Sequence, residues 1–384
     1  MHTAVRASWL FDGAGLRPDP VVVIEGERIV SVGFGSPPED FVDLTGATLL
    51  PGLIDPHVHL AFDASTAPVE ALAARSDVDV LAAMERAART AVRGGVTTLR
   101  DLGDRGYLAL RLRDNGAGLP TILASGPPIT TTGGHCHYLG GAVAPGAAGM
   151  RAAVRERAER GVDVIKIMAS GGTLTPGTYQ HEPQFEPAEL RAAVEEAHRH
   201  GLPVTVHAHA VPAIENAVEA GADGVEHVSF WTADGVGTPS AALVDEIVRR
   251  QVVLGLTVGV APSANARPPA DVLRRLPLIM ANLRMLREEG ALMTIGTDAG
   301  ISAVKPHDVL RHALPQLGQV GFDPVEALRT ATEVAAEVCG LGASKGRIEP
   351  GYDADILAVD GDPLADPTAL HRIRAVYVRG TAVR

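Results

Sequence analysis

Cysteine is nearly absent from this 384-residue chain: Cys136 and Cys339 are too few and too far apart for a disulfide framework, so a reducing cytoplasm is the expected setting. No run of about 18 apolar residues occurs, and no transmembrane helix is expected. The start, Met1-His-Thr-Ala-Val-Arg-Ala-Ser-Trp-Leu-Phe-Asp-Gly13, lacks the apolar core of a signal peptide. Basic residues are also short. Lys and Arg number 34 against 46 Asp and Glu, and the net charge of -12 argues against nucleic-acid binding, which needs a basic surface. Aromatics make up only 4%, while aliphatic residues, Ala and Gly dominate, a composition that suits many packed βα units. The expected partner is a small molecule or short peptide, with no nucleic acid and no membrane. A homo-oligomer is the default assembly.

Both ends of the chain read as short strands and turns. Val21-Val-Val-Ile-Glu-Gly-Glu-Arg-Ile-Val-Ser-Val-Gly33 predicts a hairpin turning near Glu25-Gly26. Ala354-Asp-Ile-Leu-Ala-Val-Asp360 and Ile373-Arg-Ala-Val-Tyr-Val-Arg-Gly380 are strand-like, with turns at Gly351, Gly361 and Pro363. The two ends are expected to pair into one small β-sandwich-like domain, residues 1–50 plus 345–384. Between them, in residues 51–344, short apolar runs alternate with amphipathic stretches, the pattern of βα units and a parallel sheet. Eight candidate strands lie near 48–55, 96–101, 120–125, 162–168, 203–208, 223–227, 251–258 and 292–297. Helices are predicted over 78–93, 150–160, 187–200, 212–220 and 273–289, with a further one over 324–339. The fold class is α/β, a (β/α)8 TIM barrel, whose usual size of about 250 residues fits this middle segment.

In such a barrel, catalytic groups sit at the C-terminal ends of strands. Pro51-Gly-Leu-Ile-Asp-Pro-His-Val-His-Leu60 ends the first strand in a His-X-His pair, and strand alternation puts His57 and His59 on one side. Thr130-Thr-Thr-Gly-Gly-His-Cys-His137 follows the third strand. Val164-Ile-Lys-Ile-Met168 carries Lys166 in the fourth, Val206-His-Ala-His209 ends the fifth, Val225-Glu-His227 the sixth and Gly296-Thr-Asp298 the eighth. Six strands thus present His, Lys or Asp at matching height, more than chance delivers. Lys166 is flanked by apolar residues, where an ammonium is costly. A carboxylate partner, a depressed pKa or chemical modification would resolve this, and a Schiff-base role is the rival. With histidines and an aspartate around it, an amine carboxylated by carbon dioxide to form an anionic metal bridge is the more economical reading.

These residues, in this order, resemble the amidohydrolase superfamily. The flanks agree: Leu50-Pro-Gly-Leu-Ile-Asp-Pro-His57 leads in, and Gly346-Arg-Ile-Glu-Pro-Gly-Tyr-Asp-Ala-Asp-Ile-Leu357 leads out. Gly95-Val-Thr-Thr-Leu-Arg-Asp101, Thr132-Gly-Gly-His135, Lys166-Ile-Met-Ala-Ser-Gly-Gly172 and Val206-His-Ala-His-Ala210 are similar to the imidazolonepropionase-like branch, which contains metal-dependent prolidases (Xaa-Pro dipeptidases) and related carboxypeptidases. The resemblance implies two divalent metal ions, zinc ahead of manganese, cobalt or iron. His57, His59 and Asp298 would bind one and His207 and His227 the other, with carboxylated Lys166 and a hydroxide bridging them. That hydroxide would attack an amide carbonyl, and Asp298 would take up the proton and pass it to the leaving nitrogen.

Other roles stay open. His135 could donate to the carbonyl oxygen, bind a substrate carboxylate or pack its loop; His137 and Tyr138 are substrate-contact candidates for which packing is the alternative. Arg100 could clamp a carboxylate bidentately or form a salt bridge at the barrel mouth. His209 could touch substrate or hydrogen-bond within the mouth, and His307 could support a ligand or lie on the surface. Loop 171–183 lacks the ending of a phosphate-binding loop and reads as an active-site lip; loop 262–269 is the other specificity element. The expected activity is hydrolysis of a peptide-like or N-acyl amino acid amide. The alternatives are a lactonase or phosphotriesterase, a cyclic amide or carbamate hydrolase, a mononuclear deaminase, and a non-catalytic scaffold.

Overall fold

Alternation of buried and half-buried β-branched residues builds the N-terminal strands. In β3 (Pro20–Glu25) Val22 and Ile24 are buried while Val23 is half-buried. A computed structural model describes residues 2–115, 118–263 and 266–383. β1 (His2–Phe11) carries the short β2 (Leu16–Pro18), pairs antiparallel with β3, and β3 continues as a hairpin into β4 (Arg28–Phe34). Gly26 takes a positive φ of 58° in that turn, as expected from the Glu25-Gly26 signal. β5 (Val42–Pro51) runs parallel to β1.

Residues 48–55, expected as one strand, divide at Gly52. β5 ends at Pro51, and β6 (Leu53–Val58) begins in a different sheet. The Gly52 amide still bonds to Asp355 O at 2.9 Å, whereas the Leu53 amide already bonds to Gly95 O at 3.0 Å. A Cβ on Gly52 would lie 2.2 Å from Thr97 Oγ1, so the crossing requires glycine. The apolar run is continuous because both strands are buried, which hides the change of sheet.

From β6 until the chain returns, the strands described pair parallel with one another. β6, β7 (Val96–Asp101) and β8 (Thr121–Ala124) form a three-stranded sheet. β9 (Ile165–Met168), β10 (Val204–Ala210), β11 (Gly224–Trp231), β12 (Val253–Leu256) and β13 (Met293–Ile295) form a five-stranded one. Two parallel bridges, Ile129 with Ile167 and Val58 with Ala299, join residues at the margins of these sheets. Helices Asp77–Arg93, Leu108–Asn115, Ala147–Arg160, Pro187–Arg199, Val211–Ala220, Ala241–Arg250 and Ala270–Glu288 occupy the connections. Every residue of β7, β9 and β11 is buried, as strands covered on both faces must be. Ser76 caps the first of these helices by accepting from the Asp79 amide, and Glu186 with Glu189 forms a capping box on the fourth.

The helix expected over 324–339 is two, Pro324–Thr330 and Glu333–Val338. The Ala331 carbonyl between them accepts the Ile54 amide of β6 at 2.8 Å and is lost to the helix. The chain then re-enters the first sheet as β14 (Ile356–Asp360), β15 (Ile373–Val378) and β16 (Thr381–Ala382), with β14 antiparallel to β5. The terminal strands belong to one hydrogen-bonded sheet along the path β16-β15-β14-β5-β1-β3-β4, with β2 paired to β1. Its core joins Val5, Val22, Ile24 and Leu49 from one end to Ile356 and Ala358 from the other.

Ile356 is fully buried in that shared core. Ile356→Ala is expected to cost about 2–5 kcal/mol, seen as a lower urea midpoint; an unchanged midpoint would show that the two ends do not share a load-sharing core.

Candidate metal centre

Two strand ends bring the first cluster together. His57 in β6 and His59 just beyond it are 1% and 5% exposed. Asp298 follows β13 and places Oδ1 3.5 Å from His57 Nε2 and 3.3 Å from His59 Nε2. The three ligand atoms lie within 4.8 Å of one another. His59 Nδ1 is 3.1 Å from the Gly103 carbonyl, which can only accept, so Nδ1 carries a proton and Nε2 is the nitrogen turned to Asp298. Burial works against the Asp298 carboxylate, yet the hydrogen bond from His59 and the neighbouring His57 and His59 rings hold it well below the usual carboxylate range.

The second cluster comes from β10 and β11. His207, His209 and His227 also offer ligand atoms within 4.8 Å. The His57 and His227 rings, 5.2 Å apart, join the clusters. His207 Nε2 meets the Gly171 carbonyl at 3.1 Å, which leaves its Nδ1 lone pair free. His227 Nδ1 is held by Thr257 Oγ1 at 2.8 Å and His209 Nδ1 by Ser229 Oγ at 2.7 Å. Burial, then the neighbouring imidazole of His209, pushes both His207 and His227 well below the ordinary histidine range, so they are neutral donors.

Lys166 is 1% exposed in β9, and its Nζ has no hydrogen-bond partner. Burial pushes it down to about 8, and its charge acts on His57, His59, His207 and His227, which places it among the ligand candidates. His57 Nε2 is likewise buried and unpartnered. Divalent cations and a modified amine fit this donor set: imidazoles, one carboxylate, and two buried nitrogens with nothing else to bind.

The backbone is strained where these side chains project. His227, Val228, Phe230 and Asp298 have φ of 73°, 47°, 53° and 58°. A β-branched residue such as Val228 is an outlier there, and each such residue costs on the order of 1–3 kcal/mol. The β10–β11 register shifts between Ala208 and Ala210 at the same place. No glycine marks these positions, so nothing in the sequence announced the kink.

Of the loop after β8, His135 reaches the clusters, with its ring 4.8 Å from that of His207. Its Nδ1 contacts Thr175 Oγ1 at 3.1 Å, Gly172 packs on the ring, and burial pushes it down to about 3. A Cβ on Gly172 would lie 2.4 Å from the imidazole. His137 is exposed and bonded to Gly134 O, and Tyr138 packs edge-on against Phe62. Loop 171–183 is knit to itself by Thr178 and to His135 by Thr175. In loop 262–269, Ala264 and Asn265 lie outside the described residues.

Arg100 corrects the expectation of a substrate clamp. It is 5% exposed, with Nε on Pro56 O at 2.7 Å and Nη2 on Glu226 Oε1 at 3.2 Å. Its fork is consumed beneath His57. His307, too, is buried, with Nε2 3.2 Å from His59 O.

Sequence reasoning missed the groups that brace the ligands. Asp101 accepts from the Leu60 and Gly103 amides beside His59. Asp55 accepts from the Thr297 amide and hydroxyl, tying β6 to the end of β13. Lys305 Nζ donates to Thr257 O and Thr297 O. Glu226 holds His57. An acidic residue inside the apolar Gly224-Val-Glu-His-Val228 was the signal for it, on the same ground that singled out Lys166.

Residues 48–383 match the model of the amidohydrolase family. The ochratoxinase of Aspergillus niger is 28% identical over 408 residues, covering 95% of this chain and 82% of that protein. The imidazolonepropionase of Rubrobacter xylanophilus is 26% identical over 398 residues, covering 88% and 84%. A crystal structure of a Xaa-Pro dipeptidase with bound methionine in the active site has a TM-score of 0.86 at 27% identity and covers both chains fully.

Cys136, beside His135, is buried, and burial pushes its thiol up to about 12. Ellman's reagent at pH 8 is expected to titrate at most one thiol in the folded chain and both in guanidinium. Two fast-reacting thiols in the folded protein would show that Cys136 is accessible.

Proposed function

The chain belongs to the amidohydrolase family, and from that premise we propose that it is a metal-dependent hydrolase cleaving the amide of a peptide-like or N-acyl amino acid substrate. The observation that carries this reading is the pair of clusters sharing one dry space with Lys166, whose amine has no partner of its own. The likeness to a Xaa-Pro dipeptidase favours a peptide-like amide.

Two divalent ions, zinc first and manganese, cobalt or iron next, held by His57, His59 and Asp298 and by His207 and His227 with carboxylated Lys166 shared, would supply carbonyl polarisation and a lowered pKa for water. The chain's own residues do the rest. Asp298 Oδ1 faces Nε2 of both His57 and His59, which leaves Oδ2 to accept the proton of the attacking water and return it to the leaving nitrogen. His135, neutral and anchored through Nδ1 by Thr175, turns Nε2 to the substrate. His209 is a substrate contact in this reading; its place in the second cluster makes a third imidazole ligand the alternative.

We further read the two parallel sheets as arcs of one (β/α)8 barrel. The support is hydrogen bonding across both margins: Ile129 N to Lys166 O and Met168 N to Ile129 O, each 2.8 Å, on one side, and Asp298 N to His57 O, 2.7 Å, on the other. Residues 51–344 would be the catalytic unit and 1–50 with 345–384 the small β domain.

Protein dialysed against zinc is expected to hold about two ions per chain and to release free amine from Xaa-Pro dipeptides or N-acyl amino acids; lactones and organophosphates belong in the same screen. One ion would favour a deaminase and none a scaffold. Asp298→Asn is expected to lower kcat by about 10²–10⁴-fold while zinc remains bound. A variant within a few-fold of the parent rate would remove Asp298 from the proton transfer.

A further inference from the structure

Glu226 is a carboxylate that the chemistry above does not use. It is 2% exposed, in a strand otherwise apolar save for His227 and Ser229, where an unpaired charge is costly. Its partners are all short and all donors. Oε1 accepts from Thr205 Oγ1 at 2.7 Å and from Arg100 Nη2 at 3.2 Å, and Oε2 lies 2.9 Å from His57 Nδ1. Arg100 is itself pinned through Nε to Pro56 O, one residue before His57. Gly255 in β12 makes the room: a Cβ there would lie 1.9 Å from Oε2. Four strands, β7, β10, β11 and β12, therefore build a seat for one carboxylate under one imidazole.

A carboxylate beside Arg100 can only accept, so His57 Nδ1 must donate. A neutral imidazole has one N–H, so the bare nitrogen is Nε2, the atom left without a partner and facing Asp298. We propose that Glu226 is a positioning residue: braced by Arg100 and Thr205, it fixes His57 in the Nδ1–H tautomer and thereby presents Nε2 to a divalent cation at the His57–His59–Asp298 cluster. The proposal rests on the metal reading above, but the tautomer is a property of the chain alone. The neighbouring ligand His59 is oriented by a neutral carbonyl, that of Gly103. A carboxylate thus braces His57 and not His59, and its loss acts on one cluster.

The test uses the full chain labelled with ¹⁵N-histidine. Long-range ¹H–¹⁵N spectra of the metal-free protein, with His57 assigned through His57→Asn, report its tautomer. Expected is a far-downfield proton on Nδ1 and an unprotonated Nε2. Glu226→Gln moves that proton upfield or transfers it to Nε2. In equilibrium dialysis with zinc alone, it weakens one of two sites about 10–100-fold and spares the other. If Glu226→Gln fails to fold, Thr205→Val removes a single brace and is expected to weaken the same site less. An unprotonated Nδ1 in the parent protein, unchanged zinc affinity in the variant, or equal loss at both sites overturns the proposal. A parent protein with the Nδ1 proton but no zinc binding overturns it through the metal reading instead, and the intact tautomer tells the two failures apart.

Discussion

The site depends on the cost of holding polar groups in a space that water does not reach. Lys166 shows it most directly, an amine 1% exposed between Ile165 and Ile167 with no acceptor. Burial lowers its pKa to about 8 and pushes His207 and His227 well below the histidine range, so those two imidazoles are lone-pair donors. The same dryness that makes these groups expensive to keep makes them ready to bind a cation.

Such donors are useful only if they cannot relax toward each other. A layer of buried bonds beneath them prevents it. Asp55 binds Thr297, Lys305 binds the carbonyls of Thr257 and Thr297, and Thr257 in turn holds His227. Arg100 and Glu226 belong to this layer. The positive φ values at His227, Val228 and Asp298 are the strain that the layer sustains.

The terminal sheet enters through Gly52. β5 and β6 share a single apolar run across that glycine, so the strand that carries His57 is a direct continuation of the sheet formed by both chain ends. The Ala331 carbonyl, taken from a helix to accept the Ile54 amide, secures β6 on its other side.

Periodicity and punctuation were sufficient for much of this. Burial imposes alternation or continuous apolar runs on strands, and a charged or imidazole side chain breaking such a run needs a partner; His57, His59, Lys166, the His207 and His209 pair, His227 and Asp298 stand out on that ground, while the choice of His207 over His209 came from the family resemblance. The β-rich ends, the Glu25-Gly26 turn and eight strand positions follow from the same local rules. Direction and partnership do not. Arg100 and Asp101 are adjacent in sequence, yet strand alternation sends one under His57 and the other to the amides beside His59. The split at Gly52, the tautomers of His57 and His207, and the seat of Glu226 depend on atoms contributed by strands distant in sequence. Local propensity reports which residues must be satisfied; only the packed strands decide by what.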